Sequence, residues 1–257
     1  MHSTSPLKIQ FRVIAAMVLR EVHVRYGYSS IGYIWALLEP MVMIAAFSGV
    51  ILLLGKKAIF GNNASLFVAL GILPFFMFRQ TANQLLSAFK ANQALLNYPI
   101  VKQIDTLIAR YILEVLTMIL VSIIVISIFL FGFGEARPRS ILDMLIALVG
   151  LSLVAFGIGT INAVIGEFIS SWNKIYSMIT RPLIWISGIF YSLESIPRNI
   201  LNFLVWNPII HGVEGFRAGY YQNYRVLYLD LIYLYEVGIV LVCIGLVLER
   251  AIRLKST

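Results

Sequence analysis

Arg20-Glu-Val-His-Val-Arg25-Tyr26, followed by Gly32-Tyr-Ile-Trp35-Ala-Leu-Leu-Glu39-Pro40 and then by a long apolar run, joins a basic amphipathic segment to the start of a membrane crossing. Upstream, Leu7, Phe11, Ile14, Val18 and Val22 recur at intervals of three and four, while Lys8, Arg12, Arg20 and Arg25 project elsewhere on the same helix. This pattern predicts a cytoplasmic interfacial helix within residues 1–30, its apolar stripe at the acyl boundary and its cations at anionic headgroups. Glu21 is spaced to support Arg25 at i,i+4.

Composition excludes a water-soluble globule. Of 257 residues 60% are hydrophobic and only 12% charged, against about 25% in soluble domains, and mean hydropathy is +0.88. The polar Met1 to Pro6 and the charged segment behind it show no signal-peptide pattern, so the N-terminus is expected in the cytoplasm. The single Cys243 lies in an apolar run and reads as a small buried hydrophobe.

A window of about 20 apolar residues finds six candidate spans, at 31–54, 65–87, 107–132, 141–164, 175–193 and 227–248. An even number returns the C-terminus to the cytoplasm. Eleven basic residues then fall inside (Lys8, Arg12, Arg20, Arg25, Lys90, Lys102, Arg110, Lys174, Arg250, Arg253, Lys255) and seven outside (Lys56, Lys57, Arg137, Arg139, Arg198, Arg217, Arg225), the bias expected of this orientation. The chain reads as one transmembrane domain over 1–257, without a soluble domain or internal repeat.

Two connections exceed what linking requires. The loop 88–106, with Leu95-Leu-Asn-Tyr98-Pro99 and Lys102, is polar enough to leave the bilayer yet apolar enough to dock, and Pro99 should end a short helix. The stretch 194–226 holds two helix starts: Ser195 and Asn207 as caps, with Pro197 and Pro208 in the first helical turn. Its apolar content predicts two short outer helices that dip back into the bilayer.

Arg79 and Arg181 fall within spans, where a bare charge is costly and requires a partner or water. Glu39, Glu114, Asp230 and Glu236 are possible counter-charges, and Gln80, Asn83 and Gln84 give Arg79 a polar neighbourhood. Catalytic chemistry has no foothold. Gly55-Lys56 lacks the spacing and the Ser or Thr of a phosphate loop, there is no His-Glu-x-x-His or Gly-x-Ser-x-Gly motif, and His2, His23 and His211 are scattered. A membrane-embedded sugar or lipid transferase, the competing class, would require a reactive cluster at one membrane face.

The entry Arg20 to Pro40, a Gly71-Ile-Leu-Pro74-Phe75-Phe76 turn, the loop Ala91 to Arg110, and Ser195-Ile-Pro197 with Trp206-Asn-Pro208 together resemble the inner-membrane permeases of ABC-type capsular polysaccharide exporters, the KpsM-like permeases of group 2 capsule export. The resemblance covers nearly the whole chain. It implies an all-α integral membrane protein of the bacterial inner membrane, six spans per subunit, working as a homodimer with a separate ATPase subunit that holds ATP and Mg. The substrate implied is a lipid-linked polysaccharide, passed on to periplasmic and outer-membrane export proteins, and no nucleic acid is involved. On this footing Leu95, Leu96, Asn97, Tyr98 and Lys102 are expected to couple to the ATPase. Ser195, Pro197, Asn207 and Pro208 are expected to form an outer gate. Fixed cations would attract an acidic polymer and aromatic rings would stack on sugars, so Arg79, Arg181, Arg217, Trp185 and Tyr191 are the candidate path residues. The chain itself is expected to bind no cofactor or metal.

Overall fold

The computed structural model describes residues 6–26, 31–53, 60–61, 63–98, 100–224 and 227–256, and every regular element among them is helical. In order these are α1 (Pro6–Tyr26), α2 (Ile31–Leu53), α3 (Ala64–Leu86), α4 (Ala88–Ala91), α5 (Gln93–Leu96), α6 (Gln103–Gly132), α7 (Ile141–Phe168), α8 (Trp172–Thr180), α9 (Leu183–Ile186), a 3-10 turn (Leu193–Ser195), α10 (Arg198–Leu204), α11 (Pro208–Tyr220) and α12 (Leu231–Ser256). The expected Gly55-Lys56 pair, the loop cations Lys57 and Arg225, and Pro99 lie outside the described residues.

Five helices are long and apolar enough to cross a membrane: α2, α3, α6, α7 and α12. Each overlies an expected span. The stretch 175–193 differs, since α8 and α9 stand in place of one continuous helix. Pro182 follows α8 after a single residue, Arg181, and there its missing amide and its ring oppose continuation. Gly188 then takes a positive φ of 74°, open to glycine, and turns the chain away. The broken stretch still travels the length of the bundle. At one end Trp172 Nε1 donates to Asn162 Oδ1 near the close of α7, and at the other the Gly188 and Ile189 carbonyls lie beside Phe67 in the first turn of α3, bridged by Arg217.

The core is built around α3, whose residues Leu66 to Phe78 are all buried. Asn63 caps it, its side chain accepting from the Ser65 and Leu66 amides. The expected turn at Gly71 to Phe76 is helix instead; α3 runs through Pro74, which covered membrane-type helices tolerate because neighbours resatisfy the backbone. Beside it α7 and α12 run parallel, Gly150 against Leu234 and Gly157 against Leu241. A Cβ at Gly157 would stand 2.6 Å from the Leu241 carbonyl carbon, so glycine sets this backbone approach.

α11 runs antiparallel to the first half of α7. The Ser140 amide donates to Gly219 O at 2.8 Å, and seven residues earlier Gly212 packs on Leu151. At 1.5 Å per residue the α10–α11 hairpin therefore reaches about 15 Å along α7 from its first residue. Pro208 occupies the first turn of α11 and Asn207 caps it, accepting from the Ile209 amide and donating to Ile186 O. Ser195 does not cap a helix: its hydroxyl donates back to Ser192 O within the 3-10 turn. Pro197 precedes α10 rather than entering its first turn, and α10 begins with no side-chain cap.

Two smaller expectations are corrected. Cys243 is exposed on α12, because α7 takes the opposite face of that helix. The face of α1 that packs inward carries Met17 and Glu21; Phe11, from the expected apolar stripe, is 75% exposed. Ile14, Val18 and Val22 of that stripe are half-buried.

Candidate functional site

The loop between α3 and α6 is a compact double turn, α4 and α5 around Asn92, held from both sides. Asn92 is buried; its amide donates to Glu21 Oε1 at 3.0 Å and to Ala88 O, while its oxygen accepts from Arg20 Nη1 at 2.5 Å. Arg110 of α6 completes the lock: its Nε donates to the same Glu21 oxygen at 2.7 Å, and its Nη1 to Gln84 O and Ser87 Oγ. Glu21 pairs with Arg110, 89 residues away; the side chain of Arg25, the partner expected from helix spacing, lies outside the described residues. Burial alone would raise the Glu21 pKa, but hydrogen bonds from Arg110 and Asn92 and the adjacent positive charges hold it below the ordinary carboxylate value. Gln10 of α1 adds a second tie, donating to Asp105, whose other oxygen accepts the Lys102 amide at the start of α6.

These ties fix a knuckle at the α1 end of the bundle. Leu95 and Leu96 are half-buried, and Leu96 packs against the Leu85–Phe89–Leu107 cluster. Asn97, Tyr98 and Lys102 face outward, as does Ile100, which sequence reasoning passed over. The knuckle therefore offers an apolar and a cationic side chain on a preorganised backbone, the form a docking element takes.

At the opposite end Arg217 is fully buried, its guanidinium wedged into a notch in α3 at Gly71, where any Cβ would collide with Nη2. Nη1 donates to Gly188 O, Tyr191 O and Glu214 Oε1; Nη2 donates to Phe67 O and Ile189 O; the charge lies 3.8 Å from the Phe67 ring centroid. Tyr224 donates to the other Glu214 oxygen at 2.6 Å. One side chain thus pins the turn after α9 to α3 and α11. The Glu214–Arg217 spacing of three was visible in the sequence; its complete burial was not.

The remaining candidates sit on surfaces. Arg79 is partly exposed on α3, 5.5 Å from the Phe76 ring centroid, and Arg181 is exposed between α8 and α9. Among the described residues no acid is within ion-pairing distance of either. The suggested counter-charges are placed elsewhere: Asp230 accepts from the Tyr233 amide, and Glu39 and Glu236 pair with neither arginine. Glu114 is buried on α6. Trp185 is exposed and stacks edge-on to Phe47 of α2 and tilted on Phe190. Tyr191 is half-buried and gives its carbonyl to Arg217. The structure brings Tyr191 and Arg217 together; it leaves Arg79, Arg181 and Trp185 apart from them. Among the described residues no three His, Cys, Asp or Glu side chains gather as a metal site.

A family model for the ABC-2 type transporter matches residues 12–221. The polysialic acid transport protein KpsM of Escherichia coli is 32% identical over 246 residues, covering 96% of this chain and 95% of its own. The capsule polysaccharide export inner-membrane protein BexB of Haemophilus influenzae is 31% identical over 244 residues, 95% and 92% of the two chains. CtrC of Neisseria meningitidis serogroup A, of the same description, is 28% identical over 254 residues, 96% and 94%.

Proposed function

Because the chain belongs to the ABC-2 type transporter family, we propose that it is the permease subunit of an ATP-driven exporter carrying a lipid-linked, acidic capsular polysaccharide across the bacterial inner membrane. The observation that carries this reading is the similarity to capsule-export proteins over nearly the full length of both chains. ATP and Mg belong to a partner ATPase, and periplasmic and outer-membrane proteins take the polymer onward.

In this reading the α1 end faces the cytoplasm with both termini. The clamped α4–α5 knuckle, with Leu95, Leu96, Asn97, Tyr98 and Lys102, seats in the ATPase; Ile100 joins it. The α8–α9 stretch counts as a broken fifth crossing, supported by its travel from the end of α7 to the first turn of α3. The α10–α11 hairpin is the re-entrant outer element, supported by its reach along α7, and Ser195, Pro197, Asn207 and Pro208 shape its entries as the gate. Two copies enclose the path, which Arg79, Arg181, Trp185 and Tyr191 border. Arg217 acts there through the turn it holds.

The test is transport by inverted membrane vesicles containing this chain and its ATPase. Labelled polymer should become protected from an added depolymerase only with ATP and only when both subunits are present. Protection without nucleotide would mean a passive channel. A new glycosidic product formed without ATP would mean a transferase.

A further inference from the structure

On the outside of the bundle, near the α1 end, α6 and α12 stand apart over α7 and leave an open cleft of about 490 Å³. Its lining is Ile104, Ile108 and Ile112 from α6, Phe156 from α7, and Val242 and Leu246 from α12. The hydroxyl groups nearby are mutually satisfied: Tyr111 OH meets Ser152 Oγ at 2.8 Å, and Ser152 Oγ donates to Val149 O. An occupant therefore meets hydrocarbon with no unpaired polar group, as an acyl chain requires.

Both walls change character at the same end. On α12, Val242, Leu246 and Arg250 share one face at intervals of four, and Arg250 is exposed; on α6, Ile112, Ile108 and Ile104 lead down to the exposed Lys102. The acids at that level are turned inward: Asp105 is buried under Gln10 and the Lys102 amide, and Glu249 is buried beside Arg253. The outward charge is cationic. Basic pockets between spanning helices on the cytoplasmic side are where anionic headgroups bind.

We infer that this cleft binds an anionic glycerophospholipid of the surrounding leaflet, one acyl chain between α6 and α12 and the phosphate at Arg250, joined by Lys102 in the chain without its ATPase. A second copy of the chain fits less well, because a twofold contact sets each patch against itself, here cation against cation. The inference rests on α6, α7 and α12 being membrane spans, and not on what the protein transports.

The full-length chain in nanodiscs is irradiated with phosphatidylglycerol or phosphatidylcholine bearing the same acyl-chain diazirine, and adducts are mapped by mass spectrometry. Adducts with phosphatidylglycerol should concentrate at Ile104, Ile108 and Leu246, and each of Lys102→Gln and Arg250→Gln should lower them about fivefold. Leu246→Trp should block the cleft. Both charge variants are at exposed positions and keep the fold testable if the Trp variant misfolds. Equal labelling by the two lipids in the cleft, labelling elsewhere on the spans, or a protein–protein cross-link there would overturn the inference. Labelling elsewhere would still leave the spans, and the transport reading, intact.

Discussion

Glu21 of α1 and Arg110 of α6 share a 2.7 Å ion pair whose side chains are about nine-tenths buried, with Asn92 hydrogen-bonded to the same carboxylate oxygen. Removing Arg110 leaves a buried carboxylate with only an amide and a neighbouring arginine. Arg110→Ala should cost about 3 kcal/mol of local stability. Hydrogen exchange of α1 and α4–α5 should accelerate together while α7 and α12 stay protected. Independent exchange of α1 and the knuckle would show that the pair does not join them.

The same carboxylate sets a pH limit. Its folded pKa lies below the ordinary value, so its contribution is fully present above the unfolded pKa, about 4.3, and is lost as pH falls through the folded pKa. Docking of α1 should be flat from neutrality to about pH 5 and weaken below about 4.3. Glu21→Gln should remove that acid limb. Proteolysis of α1 as a function of pH reads both.

Arg217→Lys replaces five donors in a fixed fork by three on a flexible stem, and five acceptors now rely on that fork. A loss of about 3 kcal/mol is expected, seen as a collapsed monodisperse peak in detergent gel filtration. A fully stable Arg217→Lys protein with impaired export would instead make Arg217 a path residue.

Arg79 has no acid partner among the described residues and is partly exposed, so its charge is available to a ligand. Arg79→Gln should reduce export of an acidic polymer several-fold while protein level, ATPase binding and basal hydrolysis stay unchanged. Unchanged export would remove it from the path.

Tyr98 is 62% exposed, whereas Leu96 is partly built into the bundle. Tyr98→Ala should therefore uncouple ATP hydrolysis from export at wild-type stability, and Leu96→Ala should carry a folding defect as well. Thermal melts of both variants beside transport rates separate the two effects.

Gly157→Ala should separate α7 from α12 and cost about 2 kcal/mol, because the new methyl meets main chain that cannot give way. Gly49→Ala in α2 is the control, with open space around its site. Similar melting temperatures for the two would refute the close approach.

Five crossings were legible because an apolar window of bilayer length is a property of the local sequence, and Asn207-Pro208 was legible because a cap and its proline are adjacent. Pro182 opposes helix continuation wherever it stands, but the second interruption at Gly188 depends on Arg217 holding the turn from another helix. Glu21 invited a local partner at Arg25, and nothing within one helical turn points to Arg110 or Asn92. Gly71 with Pro74 read as a turn because those residues usually make one; inside α3 the glycine is a notch for a guanidinium supplied by residue 217. What stayed hidden was pairing at a distance.

The burial of α3 also has a bearing on how the protein is made. Of its apolar window 78% is covered by the chain's own helices, and its last turns carry Arg79, Gln80, Asn83 and Gln84. A ribosome delivers α3 before α6, α7 and α11, which supply that cover. Between those moments the polar flank of the segment lacks the neighbours that later cover it, and its final packing waits on α7. Biogenesis, and with it the sensitivity of the protein to slowed translation or C-terminal truncation, is governed by helices synthesised long after the one they enclose.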